Sequence, residues 1–260
     1  MRLRCTVALV GVISVCSWAL LAPAASAATT TTTAGGATTG GATTTIPATT
    51  SAALKKAVLK AVSTSTAANS VTVTGSASQG KQVITLNLEA SDDAEGVGSI
   101  GISGSVVRAI RVGKNIYFNA NSKFWKENGG ASAAALFDGK WVETAATSNN
   151  GQPLAQFLDV TTLFHELFGG DFSSAVFSSG KNTTLHGIKV IAYTGKDAVG
   201  GTGGTIYVAR TGKPYVLELL SLGGAKGHSL VVFSGYNKPV NAVAPKGAVD
   251  IDTLKQGTSG

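Results

Sequence analysis

One stretch narrows the possible folds more than any other. Residues 152–168, QPLAQFLDVTTLFHELF, place Leu154, Phe157, Leu158, Leu163, Phe164, Leu167 and Phe168 at helical spacing. Gln156, Asp159, His165 and Glu166 point elsewhere. Pro153 suits a first helical turn, the patch at 159–162 is placed to break the segment into two helices, and Gly169-Gly170 stops it. On both sides of the segment the apolar period is two. A helix with so wide an apolar face must bury it, and the flanking strands build the only surface on offer.

Those strands are read in order. Residues 70–78, 82–90, 97–103, 106–112 and 115–120 alternate as a consecutive antiparallel meander, punctuated by Gln79-Gly80, 91–96, Gly104 and Gly113-Lys114. Ile84, Leu86 and Leu88 share one side, continued by Ile100 and Ile102 and by Ile116 and Phe118. Residues 122–137 are helical in parts, and Trp141-Val142 is a short strand. After Gly169 come strands at 184–193, 205–210, 215–222 and 229–234, with hairpin connections at 200–204 and 223–227. Prolines 239 and 245 keep the closing segment out of any central strand. Strands, a helical middle and strands again define an α+β fold: a large curved antiparallel sheet with helices over its concave face.

Not all of the 260 residues belong to that fold. Residues 1–27 read as a secretory signal peptide: Arg2 and Arg4, an apolar run from Val7 to Leu21, then Pro23 and Ala25-Ser26-Ala27, with cleavage after Ala27. Cys5 and Cys16 both lie within it, which leaves the exported chain without a thiol for a disulfide, a nucleophile or a metal. Cys16 follows Val15 inside the apolar run, so ordinary cleavage is preferred over lipidation there. Residues 28–50 form a disordered Thr/Ala/Gly-rich tether, 51–252 the folded domain and 253–260 a flexible tail. At 51–62 an amphipathic helix capped by Thr50 or Ser51 sets Leu54, Ala57, Val58, Ala61 and Val62 against Lys55, Lys56 and Lys60. Its role is to cover one end of the sheet, with membrane-surface contact as the alternative. Loss of Arg2 and Arg4 lowers the formal charge from +7 to +5. The lysines are dispersed, which speaks against nucleic acid as a partner.

Candidate chemical motifs read as structure. Gly96-Val97-Gly98-Ser99-Ile100-Gly101 spells a dinucleotide fingerprint but continues as a strand where that fingerprint needs a helix. Asp92, Asp93 and Glu95 match no calcium loop and form a solvated turn. His165, His186 and His228 are scattered, and His165 and Glu166 are adjacent on a helix, so they point apart. No nucleophile elbow is present. The chain is read as non-enzymatic, without cofactor or metal, and as a monomer.

Several runs resemble one family. They are VVRAIRVGKNIYFNANSKF at 106–124 with Trp125, Gly139-Lys140-Trp141-Val142, Ile206-Tyr207-Val208 with Thr211-Gly212-Lys213-Pro214-Tyr215, and the closing FSGYNKPV with Ala244-Pro245. In this order they resemble actinobacterial envelope lipoproteins of the LppX/LprG type, more distantly related to LolA-like carriers. The resemblance implies a half-barrel whose hollow holds acyl chains, and a role in carrying lipid or acylated molecules through the cell envelope. The missing lipobox points to a free secreted form.

The expected ligand-facing residues are Leu86, Leu88, Ile100, Ile102, Ile116 and Phe118 from the sheet, and Phe157, Leu158, Phe164, Leu167 and Phe168 from the central helix. Two readings of them stay open: core alone, or core plus the lining of a pocket. An empty apolar cavity of several hundred Å³ marks a carrier; a dense core marks a wall-associated interaction protein without ligand.

Overall fold

The computed structural model describes residues 48–79, 82–168, 175–199, 202–221 and 229–256. Among the described residues twelve strands make one open, curved sheet: β1 Ser70–Gln79, β2 Gln82–Ser91, β3 Glu95–Ile102, β4 Ser105–Val112, β5 Asn115–Ala120, β6 Trp141–Ala145, β7 Val176–Leu185, β8 Ile188–Val199, β9 Thr202–Ala209, β10 Val216–Ser221, β11 Ser229–Ser234 and β12 Val249–Asp250. The helices are α1 Ala48–Thr66, α2 Ser122–Phe137, α3 Gln152–Phe157, α4 Val160–Phe168 and α5 Ile251–Gln256. In space the strands run β12-β6-β5-β4-β3-β2-β1-β11-β10-β9-β8-β7. Two meanders thus leave the centre in opposite directions, and pairing of β1 with β11 joins them. The sheet is antiparallel except at one edge, where β12 lies parallel to β6.

The first meander follows from its alternation and two tight turns, and its strands lie within two residues of their expected bounds. Its register aligns Leu88, Gly98, Ala109, Phe118 and Val142 in one row across β2 to β6. The small residues in mid-row leave room for Phe118 and for the aromatic rings of α2. That helix begins at Asn121, whose side chain accepts from the Phe124 N–H at 3.1 Å, and kinks at Gly130, where φ is 79°.

The second meander differs from expectation. A single strand at 184–193 is in fact a hairpin, β7–β8, turning at His186-Gly187 with φ of 48° and 83°. Two successive positive φ values are the mark of a twist-compatible two-residue turn. Nothing in β7 advertised a strand, because this edge strand, VFSSGKNTTL, is polar and largely exposed. Of the expected glycine connections, 200–201 and 223–227 lie outside the described residues, while Gly203 and Gly204 belong to β9. The first helix extends beyond 51–62 at both ends. At its C-terminal end the Thr64 and Thr66 hydroxyls donate back to the Lys60 and Val62 carbonyls. The last described element is α5; Asp252 fixes it to β6 by accepting from the Ala145 N–H at 2.9 Å and from the Thr144 hydroxyl, and residues 257–260 of the expected tail lie outside the described residues. The segment expected as a signal peptide, 1–27, and the expected tether up to residue 47 lie outside the described residues.

All the larger helices lie on one face. α1 covers β7, β9 and β10, α2 covers β4 and β5, and α4 sits between them against α1 and β2. The apolar side chains of sheet and helices form one continuous core.

Candidate functional site

The centre of the helical layer is the break between α3 and α4, and the sequence dictates its position. α3 starts with Pro153 in its first turn and is capped at its C-terminal end by Leu158. Asp159 then caps α4, its carboxylate accepting from the Thr162 N–H at 2.8 Å. The junction seats on the sheet because Gly96 has no side chain. A Cβ there would stand 2.7 Å from the Leu158 Cβ and 3.0 Å from its carbonyl oxygen. The Ser91 N–H donates to that carbonyl at 3.3 Å. The glycine-rich run at 96–101 therefore serves close packing: Cβ atoms at Gly98 and Gly101 would also collide, with the Asn87 carbonyl and the Thr85 hydroxyl.

A charged pair enters this layer. Arg111 projects from the covered face of β4, its Nη1 3.7 Å from an Asp159 oxygen and 3.5 Å from the Ala155 carbonyl, while its buried Nε has no hydrogen-bond partner. Sequence reasoning did not single it out. The signal was there: the two-residue turn at Gly113-Lys114 pairs Arg111 with Ile116 and so sets both on the inner side.

Away from the junction the layer is apolar and aromatic. Phe164 stacks on Phe233 and Phe168, with ring centroids 5.2 and 5.5 Å apart. On the other side Trp125 contacts Phe118, Phe124 and Phe137 at 5.6, 5.3 and 5.0 Å. Tyr236 borders the first group; its hydroxyl donates to the Val216 carbonyl at 2.5 Å, and burial holds it protonated well above the ordinary tyrosine range.

The structure brings the eleven expected residues together in this one layer. Leu86, Leu88, Ile100, Ile116 and Phe118 are buried from the sheet side and Leu158, Phe164 and Phe168 from the helix side, while Ile102, Phe157 and Leu167 lie part-buried at its margin. At its middle the layer is closed: Ile116 and Leu158 have 0 % of their surface exposed, Leu88 and Phe164 1 %. A side chain bordering an empty, water-sized space would show more. Phe233, Phe177 and Val216 complete the layer and were not expected there. Of the histidines, His165 is exposed, His186 lies 3.7 Å from the buried Glu218, and His228 lies outside the described residues. The acidic turn is organised by Ser91, whose hydroxyl faces the Asp93 carboxylate and donates to the Glu95 carbonyl at 2.7 Å.

Fold and site together define an α+β protein with an open half-barrel sheet and an apolar layer sealed under short helices. Among solved structures, the chain is similar to LprF from Mycobacterium bovis, at 12 % identity and a TM-score of 0.44, over 76 % of this chain and 99 % of that one. The chain is also similar to an uncharacterized conserved protein from Thermus thermophilus, at 9 % identity and a TM-score of 0.34, over 76 % and 98 % of the two chains. Likeness this distant assigns no role. No family model and no curated protein matches the chain.

Proposed function

We propose that this is an exported, non-enzymatic, monomeric protein that binds lipid or acyl chains between its sheet and its helices and moves them within the cell envelope. One observation carries the reading. Residues from β2, β3, β5, α3 and α4 converge on a single apolar layer, and part-exposed Ile102, Phe157 and Leu167 extend it to the solvent. The cover over the middle of that layer is thin, a six-residue and a nine-residue helix. Its polar ties to the sheet gather at the junction, through Ser91, Arg111 and Asp159. Beyond the junction α4 packs through Leu163, Phe164 and Phe168, contacts that acyl chains can replace in kind. The closed layer is then the ligand-free form. Membrane contact on loading is transient; among the described residues no helix is long and apolar enough to cross a membrane.

A second reading is favoured by the closed middle of the layer: a wall-associated interaction protein whose core its own side chains fill. Native mass spectrometry of the protein from its own host, with lipid extraction alongside, separates the two. The carrier reading expects a co-purifying acylated species, diminished by Leu167→Glu, a change at the part-exposed margin, with circular dichroism checking that the variant folds. A bare mass that takes up no added diacyl phospholipid overturns it in favour of the filled core.

A further inference from the structure

The uncovered face of the sheet carries a basin of its own. Register aligns Trp141 on β6 with Asn119 on β5, then Arg108 on β4, Ser99 on β3 and Asn87 on β2. All five point away from the helices, because their chain neighbours Val142, Ala120, Val107, Ile100 and Leu88 point into the core. The adjacent row sets Ile110 beside Val97 and Val97 beside Glu89. Ser99 is the shortest side chain between longer ones, so the surface dips over it. The dip is an open basin of about 360 Å³, with Trp141 and Arg108 at one end, Asn87 and Glu89 at the other, and Val97 and Ile110 in its floor. From β6 to β2 is four strand spacings, about 19 Å. The volume is at the small end of the range for ligand sites, about 300–1,000 Å³.

Its polar groups are unspent. Neither Arg108, Glu89 nor Asn87 has a side-chain hydrogen bond or ion pair among the described residues, whereas Glu143, one row away, accepts from both Asn115 and Tyr117. Sheet packing does not use these side chains, and their chemistry narrows what does. A ligand with a single charge is attracted by Arg108 or Glu89 and repelled by the other. A polyhydroxylated, uncharged ligand suits both, since each hydroxyl donates to a carboxylate or amide oxygen and accepts from a guanidinium or amide N–H. The part-exposed Trp141 ring offers an apolar face with a polar edge, suited to the C–H face of a pyranose. We propose that this basin binds a short, neutral oligosaccharide, with Trp141 as stacking platform and Arg108, Glu89 and Asn87 as hydrogen-bonding groups. The proposal is independent of lipid binding, which concerns the opposite face.

Tryptophan emission tests it, because Trp125 is buried and Trp141 is the part-exposed indole of the folded domain. The exported chain from residue 28 onward, which lacks Trp18, is titrated with cellotriose, mannotriose and chitotriose, and with trigalacturonic acid as the anionic control, by emission and by calorimetry. The expected result is that one of the neutral trisaccharides binds and shields Trp141 from acrylamide. Trp141→Ala and Arg108→Met should then each weaken it at least about tenfold, with unchanged circular dichroism. If Trp141→Ala disturbs folding, Arg108→Met alone decides. The proposal is overturned if no neutral probe binds at about 10 mM, if the variants bind like the parent, or if trigalacturonic acid binds at least as tightly.

Discussion

Phe164→Ala distinguishes a filled layer from a hollow one. Phe164 is 1 % exposed and has three aromatic neighbours, Phe233, Phe168 and Tyr236, with centroids at 5.2, 5.5 and 6.4 Å. If those contacts fill the space around it, truncation leaves a void that rigid strands cannot close, and the expected loss is about 3–5 kcal/mol. Domain stabilities lie around 5–15 kcal/mol, so the loss is a large share of the whole. With a urea m-value of roughly 2–3 kcal/mol/M, the midpoint should fall by about 1–2 M at unchanged slope. Equilibrium urea unfolding followed by far-ultraviolet circular dichroism reads this directly. A loss below about 1 kcal/mol at the same slope would mean that Phe164 borders space that is already empty, and the argument for a closed layer would fail. A diacyl lipid that binds the folded state should restore part of the loss, about 2.7 kcal/mol at a hundred times its dissociation constant.

Three further changes probe the supports of the site. Gly96→Ala should lower the melting temperature by the equivalent of about 1–3 kcal/mol, since its Cβ meets Leu158 at 2.7 Å; an unchanged melting curve would show that the α3–α4 junction does not seat there. Asp159→Asn keeps a cap for the Thr162 N–H but loses the charge facing Arg111, whereas Asp159→Ala loses both. The alanine variant should be less stable than the asparagine variant by about 1 kcal/mol in denaturant titration, and equal losses would remove the cap from the account. Tyr236 is held protonated by burial, so its folded-state pKa lies above the unfolded value of about 10. Its contribution is full below that pH and is lost as pH rises toward the folded value. Tyr236→Phe should therefore show a shallower fall in stability from about pH 10 upward, and parallel curves for parent and variant would refute the assignment.

Sequence reasoning located features whose cause is local and missed those whose cause is distant. Alternation at 82–90 and the Gly113-Lys114 turn are contained in a few residues, and from them follow the inward positions of Leu86, Leu88, Ile116 and Phe118. The break before α4 was legible for the same reason, since Asp159 is a cap followed by β-branched residues. β7 was not legible: as an edge strand it is held by β8 on one side and needs no apolar alternation. Nor was the pairing of β1 with β11, which joins residues more than 150 apart and brings Phe233 under Phe164. The parallel β12 and the helix after it depend on Asp252 reaching Thr144, a contact that no spacing rule anticipates.

If the closed layer opens for acyl chains, its energetics select the kind of lipid. Lifting α4 exposes the buried Leu163, Phe164 and Phe168, at about 1.5–3 kcal/mol each, or roughly 5–9 in all. Association costs a further amount of at least about 4 kcal/mol. One saturated chain of about fifteen buried carbons contributes roughly 12 kcal/mol relative to water, which these two costs consume. A second chain contributes about as much again while the layer is opened only once. Palmitate should therefore bind weakly, and a lipid with two such chains far more tightly. Native mass spectrometry of the full chain with palmitate and with dipalmitoyl phosphatidylcholine, each at the same low concentration, gives the comparison. Palmitate occupancy equal to that of the two-chain lipid would mean that little apolar surface is uncovered on binding, and the ligand would then lie along the exposed margin of Ile102, Phe157 and Leu167, with α4 still in place.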